Sequence, residues 1–224
     1  MRIVLKIGGS VVFPDKIDVE LIKNVSKQIV SLSKNHEFLI VVGGGTIARE
    51  YIGALKDIGK DDTFLDFIGI EVARLNASLL MGALGEKAPV EVSNDFKHAL
   101  STLYLGKIPV LGGTHPGHTT DAVSSMLAEF VGADLFLRFT NVDGVYDKDP
   151  RKFTDAKKLG RISHEKLLEI VQGTRAEAGV NTVIDPLAAK ILKRSKIKTI
   201  VCGKEELKNL RAVIEGKHKG TEIS

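Results

Sequence analysis

Short apolar runs recur along the chain, each ending in glycine, threonine, asparagine or charged residues: Arg2–Ile7, Phe38–Val42, Val90–Val92, Ile108–Leu111, Leu135–Thr140 and Thr199–Cys202. Runs this short with little internal alternation read as strands buried on both faces. Between them apolar residues return every three to four positions, the helical period. Ile17, Leu21, Ile22, Val25, Ile29 and Leu32 mark a first helix from about Asp18, with Asp18 as its N-cap. The stretches Ile47–Leu55, Phe64–Leu84 and Thr120–Val131 repeat that period. Strands separated by helices predict an α/β fold, a mostly parallel sheet with helices on both faces. With no repeat, low-complexity segment or linker, one domain is expected over residues 1–224, its two halves meeting near residue 130.

Composition narrows the class. Hydrophobic residues at 43% and charged residues at 27% describe an ordinary globular chain long enough to bury its own core. Cys202, the single cysteine, lies in an apolar run and reads as a small buried hydrophobe; without a second cysteine there is no intrachain disulfide, which favours a reducing, cytoplasmic setting. The first apolar run is interrupted by Lys6 and ends in glycines, too short for a secretion signal or a membrane span, so no membrane partner is expected. A net charge of +4 permits nucleic-acid binding, but the basic residues are spread out and aromatics make up only 5%, so no nucleic-acid partner is expected. The densest basic stretch, Lys190 to Lys198, interleaves Ile191, Leu192 and Ile197, as the wet face of a helix running into a strand would. Two glutamines, one cysteine and many Lys and Glu residues suggest a heat-adapted source.

Candidate chemistry sits at the strand ends, where open α/β sheets bind ligands. Three of those ends carry glycine turns: Lys6-Ile7-Gly8-Gly9-Ser10, Gly43-Gly44-Gly45 and Gly112-Gly113. Together they predict a cleft lined by backbone N–H groups and suited to phosphate. Gly112 to Thr119 has the glycines and threonine of a P-loop, but His118 stands where the lysine belongs. Gly43-Gly44-Gly45-Thr46-Ile47-Ala48 satisfies the dinucleotide pattern G-x-G-x-x-G/A, yet Asp61, Asp62 and Asp66, at the distance for a ribose-binding acid, follow no strand. Lys6 interrupts an apolar strand just before its glycines; it either reaches water at a sheet edge or projects over phosphates held by the turn. Arg49, one turn beyond Gly45, either pairs with nearby acids such as Glu50 or reaches the same place. Pro116-Gly117 breaks any helix between His115 and His118, and no fourth ligand accompanies them and Asp121, so no dedicated metal site is expected. Asp121 fits the first turn of a helix, where it stabilises the helix or orients a lysine and Mg²⁺. The loop from Thr140 to Pro150 is dense in turn formers; Tyr146 beside Asp149 could stack on a base.

These residues, in order and over nearly the whole chain, resemble the amino-acid kinase superfamily: Lys6 to Ser10, Gly43 to Gly45 with Arg49, Thr119-Thr120-Asp121, Asn141 to Tyr146 with Asp149-Pro150, and Val183-Ile184-Asp185. Within it, Gly113 to Asp121 is similar to the archaeal branch of uridylate (UMP) kinases. The resemblance implies a three-layer αβα fold, Mg²⁺-dependent transfer of the ATP γ-phosphoryl group to UMP, and a homohexamer. It implies that Lys6, Ile7, Gly8, Gly9, Ser10, Gly45 and Arg49 handle the ATP phosphates, and that Thr140, Asn141, Tyr146 and Asp149 hold the adenosine. Gly44, Asp66, Thr114, His115, Pro116, Gly117, His118, Thr119 and Thr120 would bind UMP. Residues 1–130 would then form the acceptor half and 131–224 the ATP half. Asp121 and Asp185 match acids near the reaction centre, with the metal carried by the nucleotide. Glutamate-type members use a second lysine near the position of Asp185. Its absence argues against an amino-acid substrate and leaves open which group offsets charge on the departing ADP. Another superfamily kinase, acting on isopentenyl phosphate or carbamate, and a nucleotide sensor without turnover remain alternatives; Asp66 and the polar loop favour a ribose-bearing acceptor, and Lys6, Asp121 and Asp185 together favour an enzyme.

Overall fold

Strand β1 (Arg2–Ile7) runs through the middle of the molecule because its side chains are apolar on both faces: Ile3, Leu5 and Ile7 enter one core, Val4 the other. The computed structural model describes residues 1–12, 16–173 and 183–224. Along the chain β1 is followed by α1 (Gly9–Val12), α2 (Val19–Leu32), β2 (Glu37–Val42), α3 (Gly45–Asp57), α4 (Asp62–Ala83), α5 (Phe96–Tyr104), β3 (Val110–Leu111) and α6 (Thr120–Phe130). Then come β4 (Leu135–Thr140), the short β5 (Val145–Tyr146), β6 (Lys158–Leu159) and β7 (Arg161–Ile162), α7 (His164–Gly173), α8 (Pro186–Ser195), β8 (Lys198–Gly203), α9 (Leu210–Ile214) and β9 (Thr221–Ile223).

The main sheet has the order β3-β2-β1-β4-β8-β9-β7. Its pairs are parallel except β8 with β9, while β5 and β6 form a separate antiparallel pair. One face buries Phe38, Leu137, Phe139 and Ile200 under residues of α2, α4 and α9. The other buries Leu39, Phe136 and Val201 under residues of α5, α6, α7 and α8. The result is the α/β sandwich expected from the alternation of periods.

Chain order and spatial order reverse beside β1. The first three strands step outward on one side of it, and β4 returns to the other side, in register from Ile3 opposite Leu135 to Ile7 opposite Phe139. Connections leaving two neighbouring parallel strands in opposite directions open a crevice at their carboxyl ends. That crevice is where Lys6 and Gly8 lie.

Helix caps match the residue chemistry. Asp18 accepts from the Leu21 N–H at 3.0 Å and starts α2 where expected. Ile17, however, is 47% exposed, because it precedes the cap and lies outside the helical stripe. Asp61 caps α4, so Asp61, Asp62 and Asp66 stand on a helix and not at a strand end. Val90–Val92 is not a strand: Val90 is fully exposed and only Ser93 makes an isolated bridge, to Leu111. Ile108 and Pro109 fall outside β3, and proline cannot donate to a ladder. The basic stretch behaves as expected, with Ile191, Leu192 and Ile197 buried between α8 and β8. No helix among the described residues is long and apolar enough to cross a membrane.

Candidate active site

Two cations sit side by side at the crevice. Lys6 in β1 is the register partner of Arg138 in β4, and both point to the face covered by α6. Lys6 is 6% exposed and Arg138 7%, so neither reaches water at a sheet edge. Between them stands Asp121 in the first turn of α6. Its carboxylate receives Lys6 Nζ at 3.0 Å, Arg138 Nε at 2.9 Å and Arg138 Nη2 at 2.8 Å. Burial would push the Asp121 carboxyl up, but Arg138 and Lys6 overcome that and hold it well below the usual carboxylate range. Burial lowers the Lys6 ammonium from its ordinary value, and Asp121 draws it back in part. The cluster is therefore one anion fixing two cations, with a net positive charge facing the strand ends.

Two helix caps meet beside this cluster. Thr119 caps α6 by accepting from the Ala122 N–H at 3.1 Å, and its hydroxyl donates to Asp185. Asp185 in turn accepts from the N–H groups of Leu187 at 2.8 Å and Ala188 at 3.0 Å, capping α8. One hydroxyl thus ties the starts of two helices together, and both positive helix ends face the same space.

The glycine turns pack backbone on backbone. A Cβ on Gly9 would lie 2.1 Å from the Gly45 nitrogen and 2.5 Å from the Gly43 carbonyl oxygen, so the first two turns can touch only without side chains. Gly45 adopts φ +68°, a conformation that favours glycine. Asn76, buried on α4, donates to the carbonyls of Gly43 at 2.9 Å and Gly44 at 3.0 Å and so holds the second turn from below, while the Gly43 N–H donates to the Ile7 carbonyl at 3.0 Å. The third turn is glycine for another reason: a Cβ on Gly112 would meet the backbone of Ala73 and Arg74, and one on Gly113 would meet Ile70. Its glycines let the loop lie close against α4.

The loop from Thr114 to Thr120 crosses from β3 to α6, with Gly117 at φ +80°. Asp66 on α4 accepts from the Gly117 N–H at 2.7 Å and holds the loop. His115 and His118 are exposed, and among the described residues no three His, Cys, Asp or Glu side chains gather as a metal-binding group. Arg49 pairs with no acid in its helix; it donates to Thr46 at 3.0 Å. With Ser10, Arg138, Thr140, Asn141 and Arg151 it lines a cavity of about 460 Å³. Beyond it Tyr146 donates to Asp143 at 2.7 Å, and buried Asp149 accepts from the Arg151 backbone at 3.0 Å. Asp149 thus fixes its loop from within. Cys202 is buried, its thiol pushed up to about 12 by desolvation, and plays no part here.

The structure adds two residues and one contact to the sequence-derived set. Arg138 carries the same signal as Lys6, a lone cation in an apolar strand, but no glycine follows it. Asn76 is a polar residue on the buried stripe of α4. The bond between Thr119 and Asp185 spans 66 residues, and spacing alone gives no sign of it.

A cleft with two buried cations, converging helix starts and open backbone N–H groups is built to hold several phosphate groups and to stabilise charge moving between them. The family model of the amino acid kinase family matches residues 1–203. The chain is 54% identical over 223 residues to a uridylate kinase of Pyrococcus abyssi, covering 100% of this chain and 99% of that one. It is 53% identical over 221 residues to a uridylate kinase of Thermococcus sibiricus, covering 99% and 98% respectively. The crystal structure of a uridylate kinase from Archaeoglobus fulgidus superposes with a TM-score of 0.89, at 45% identity and over 100% of both chains.

Proposed function

The chain belongs to the amino acid kinase family, and on that footing we infer that it transfers the γ-phosphoryl group of ATP to UMP, giving UDP and ADP. The single observation that carries the phosphoryl-transfer chemistry is the buried Lys6–Asp121–Arg138 cluster at the strand-order reversal. The full-length similarity to uridylate kinases supports UMP as the acceptor.

The chemistry needs little beyond charge and position. A nucleoside monophosphate has a second pKa of about 6, so the attacking oxygen is ionised at neutral pH and no general base is required. What limits the reaction is bringing two anions into line. Lys6, the turn from Gly8 to Ser10 through the N–H groups of Gly9 and Ser10, the N–H at Gly45, and Arg49 would take the ATP phosphates; the Gly8 N–H already donates to the Phe139 carbonyl at 2.9 Å and fixes the turn. Thr140, Asn141, Tyr146 and Asp149 would hold or shape the adenosine pocket. Gly44, Asp66 and the loop Thr114 to Thr120 would receive UMP, with Thr119 joining that loop to Asp185. In this arrangement residues 1–130 supply most of the acceptor side and 131–224 most of the ATP side, and the two halves share one sheet across β1 and β4.

Mg²⁺ fits as a companion of the nucleotide. Both Asp121 oxygens are committed to cations, and Asp185 is committed to Thr119 and the start of α8. Neither carboxylate is free as a ligand, so the ion would arrive on the ATP phosphates, where it neutralises part of their charge. A homohexamer is part of the same reading. Tyr51 on α3 and Phe64, Phe67, Leu75 and Leu79 on α4 leave apolar surface exposed, as a contact between copies requires. The same reading places the protein in the cytoplasm.

A coupled assay of ADP release tests the function. UMP should support the highest kcat/KM in a panel with CMP, dUMP and isopentenyl phosphate. Equal or higher turnover with isopentenyl phosphate would discard the nucleotide acceptor, and no turnover with any of the four would favour a binding protein.

A further inference from the structure

Arg138 keeps one nitrogen, Nη1, whose N–H groups the described surroundings do not use. Its Nε and Nη2 are spent on Asp121, whose two oxygens are then filled by Arg138 and Lys6. Nη1 is buried and, among the described residues, has no hydrogen-bond partner. A charged donor shut away from water and left unbonded is costly, and native interiors rarely keep one without a use. The guanidinium cannot turn to relieve it, because its fork is fixed on the carboxylate in bidentate geometry. The same residue lines the cavity with Ser10, Arg49, Thr140 and Asn141, on the side where the ATP half meets β1.

We propose that Arg138 is a catalytic residue: with both nucleotides bound, its Nη1 donates a hydrogen bond to the β-phosphate of the departing ADP. The proposal rests on the phosphoryl-transfer reading above. In that reaction an oxygen of the UMP phosphate bonds to the γ-phosphorus. The bond from the γ-phosphorus to the bridging oxygen breaks, and its electron pair stays on the β-phosphate of ADP. Arg138 gives up no proton. It meets the charge that grows on the leaving group, and Asp121 keeps it and Lys6 a fixed distance apart.

The experiment begins with the wild-type chain, ATP and UMP in the ADP-release assay; no turnover there fails the reading on which the proposal rests, not the assignment of Arg138 within it. Given turnover, Arg138→Lys should lower kcat by about 100-fold or more, while KM for ATP and UMP stays within about threefold. In Arg138→Ala, millimolar guanidinium should restore turnover in a saturable way that equal concentrations of sodium chloride do not reproduce. A residue that merely positions Asp121 would leave Arg138→Lys near wild type, and a kcat within about threefold overturns the proposal, as does a loss confined to KM. If the variants do not fold, a crystal structure of the wild-type chain with ADP, aluminium fluoride and UMP decides. Nη1 within about 3.2 Å of a β-phosphate oxygen supports the proposal, and Nη1 still bonded to nothing in that complex overturns it.

Discussion

At the scale of single residues, Lys6 and Asp121 are informative because burial and pairing act against each other. Removing one member of a buried ion cluster leaves the others uncompensated, at a cost of about 3–5 kcal/mol. Asp121→Asn should therefore lose about that much stability in urea unfolding, as well as turnover, because two buried cations would face a neutral amide. The carboxyl of Asp121 lies below its ordinary value in the folded chain, so its contribution is complete above an unfolded pKa of about 3.9 and drains away as pH falls below that. Stability of the wild type should fall in that acid range more steeply than that of Asp121→Asn. Parallel slopes would show that the cluster does not set the acid response. For Lys6 the direction is also down, from 10.5, so the ammonium loses its proton before a free lysine would. The profile of kcat/KM against pH, which reports the free enzyme and free substrate, should then be bell-shaped. Its acid limb near pH 6, by order of magnitude, comes from the acceptor phosphate, and its alkaline limb lies below the range of an ordinary lysine; a rate still flat at pH 10.5 would exclude Lys6 from the second limb. Lys6→Ala should lower turnover by orders of magnitude with little change in UMP affinity, measured by calorimetry. Unchanged turnover would remove its role.

At the scale of elements, the glycines separate into those that carry the site and those that lie outside it. Gly9 touches the backbone of the second turn, so Gly9→Ala forces two loops apart and should cost about 1–3 kcal/mol, with a rise in the KM for ATP. Gly53 lies within α3 with nothing near its missing Cβ, and Gly53→Ala should instead gain about 0.5–1 kcal/mol from helix propensity. Urea unfolding of the two variants checks both signs, and a neutral Gly9→Ala would mean that the turns can separate freely. The near-P-loop is instructive at this scale too. Its glycines serve contact with α4, and the cation that its sequence lacks is supplied by other strands. Motif and geometry part company there because the cradle of a P-loop needs its lysine on the loop itself, whereas this cleft collects cations from β1 and β4.

At the scale of the molecule, surface charge is organised as well as abundant. Glu222 on β9 sits between Lys198, at 2.9 Å, and Arg161, so that three strands are joined by one carboxylate. Networks of this kind gain weight as temperature rises. The unfolding midpoint should lie above the ordinary mesophile range of about 45–65 °C, and a midpoint inside it would remove the inference of heat adaptation. Light scattering on the purified protein should give six times the 24.3 kDa chain, and a monomer mass would leave the apolar face of α3 and α4 without the proposed partner.

Much of this was legible in residue order because local periodicity reports burial. The strands at Arg2–Ile7 and Leu135–Thr140, the start of α2 at Asp18 and the apolar setting of Cys202 all follow from which side chains avoid water. The glycines mark turns for the same local reason, and Lys6 stands out as a charge where none should be. Val90–Val92 departs from its pattern because three apolar residues do not distinguish a strand from a turn, and Ile17 because the period does not say where the stripe begins. The tertiary structure decided the rest. Strand order placed β4 beside β1 and so set Arg138 against Lys6, residues 132 positions apart by number (138 − 6) yet opposite each other in register. Folding also brought Asp121 between them, Asn76 under the second turn and Asp185 to Thr119. Apolar pattern is a property of neighbours along the chain, whereas the charge cluster depends on contacts between distant segments, and those exist only once the sheet has closed over its two cores.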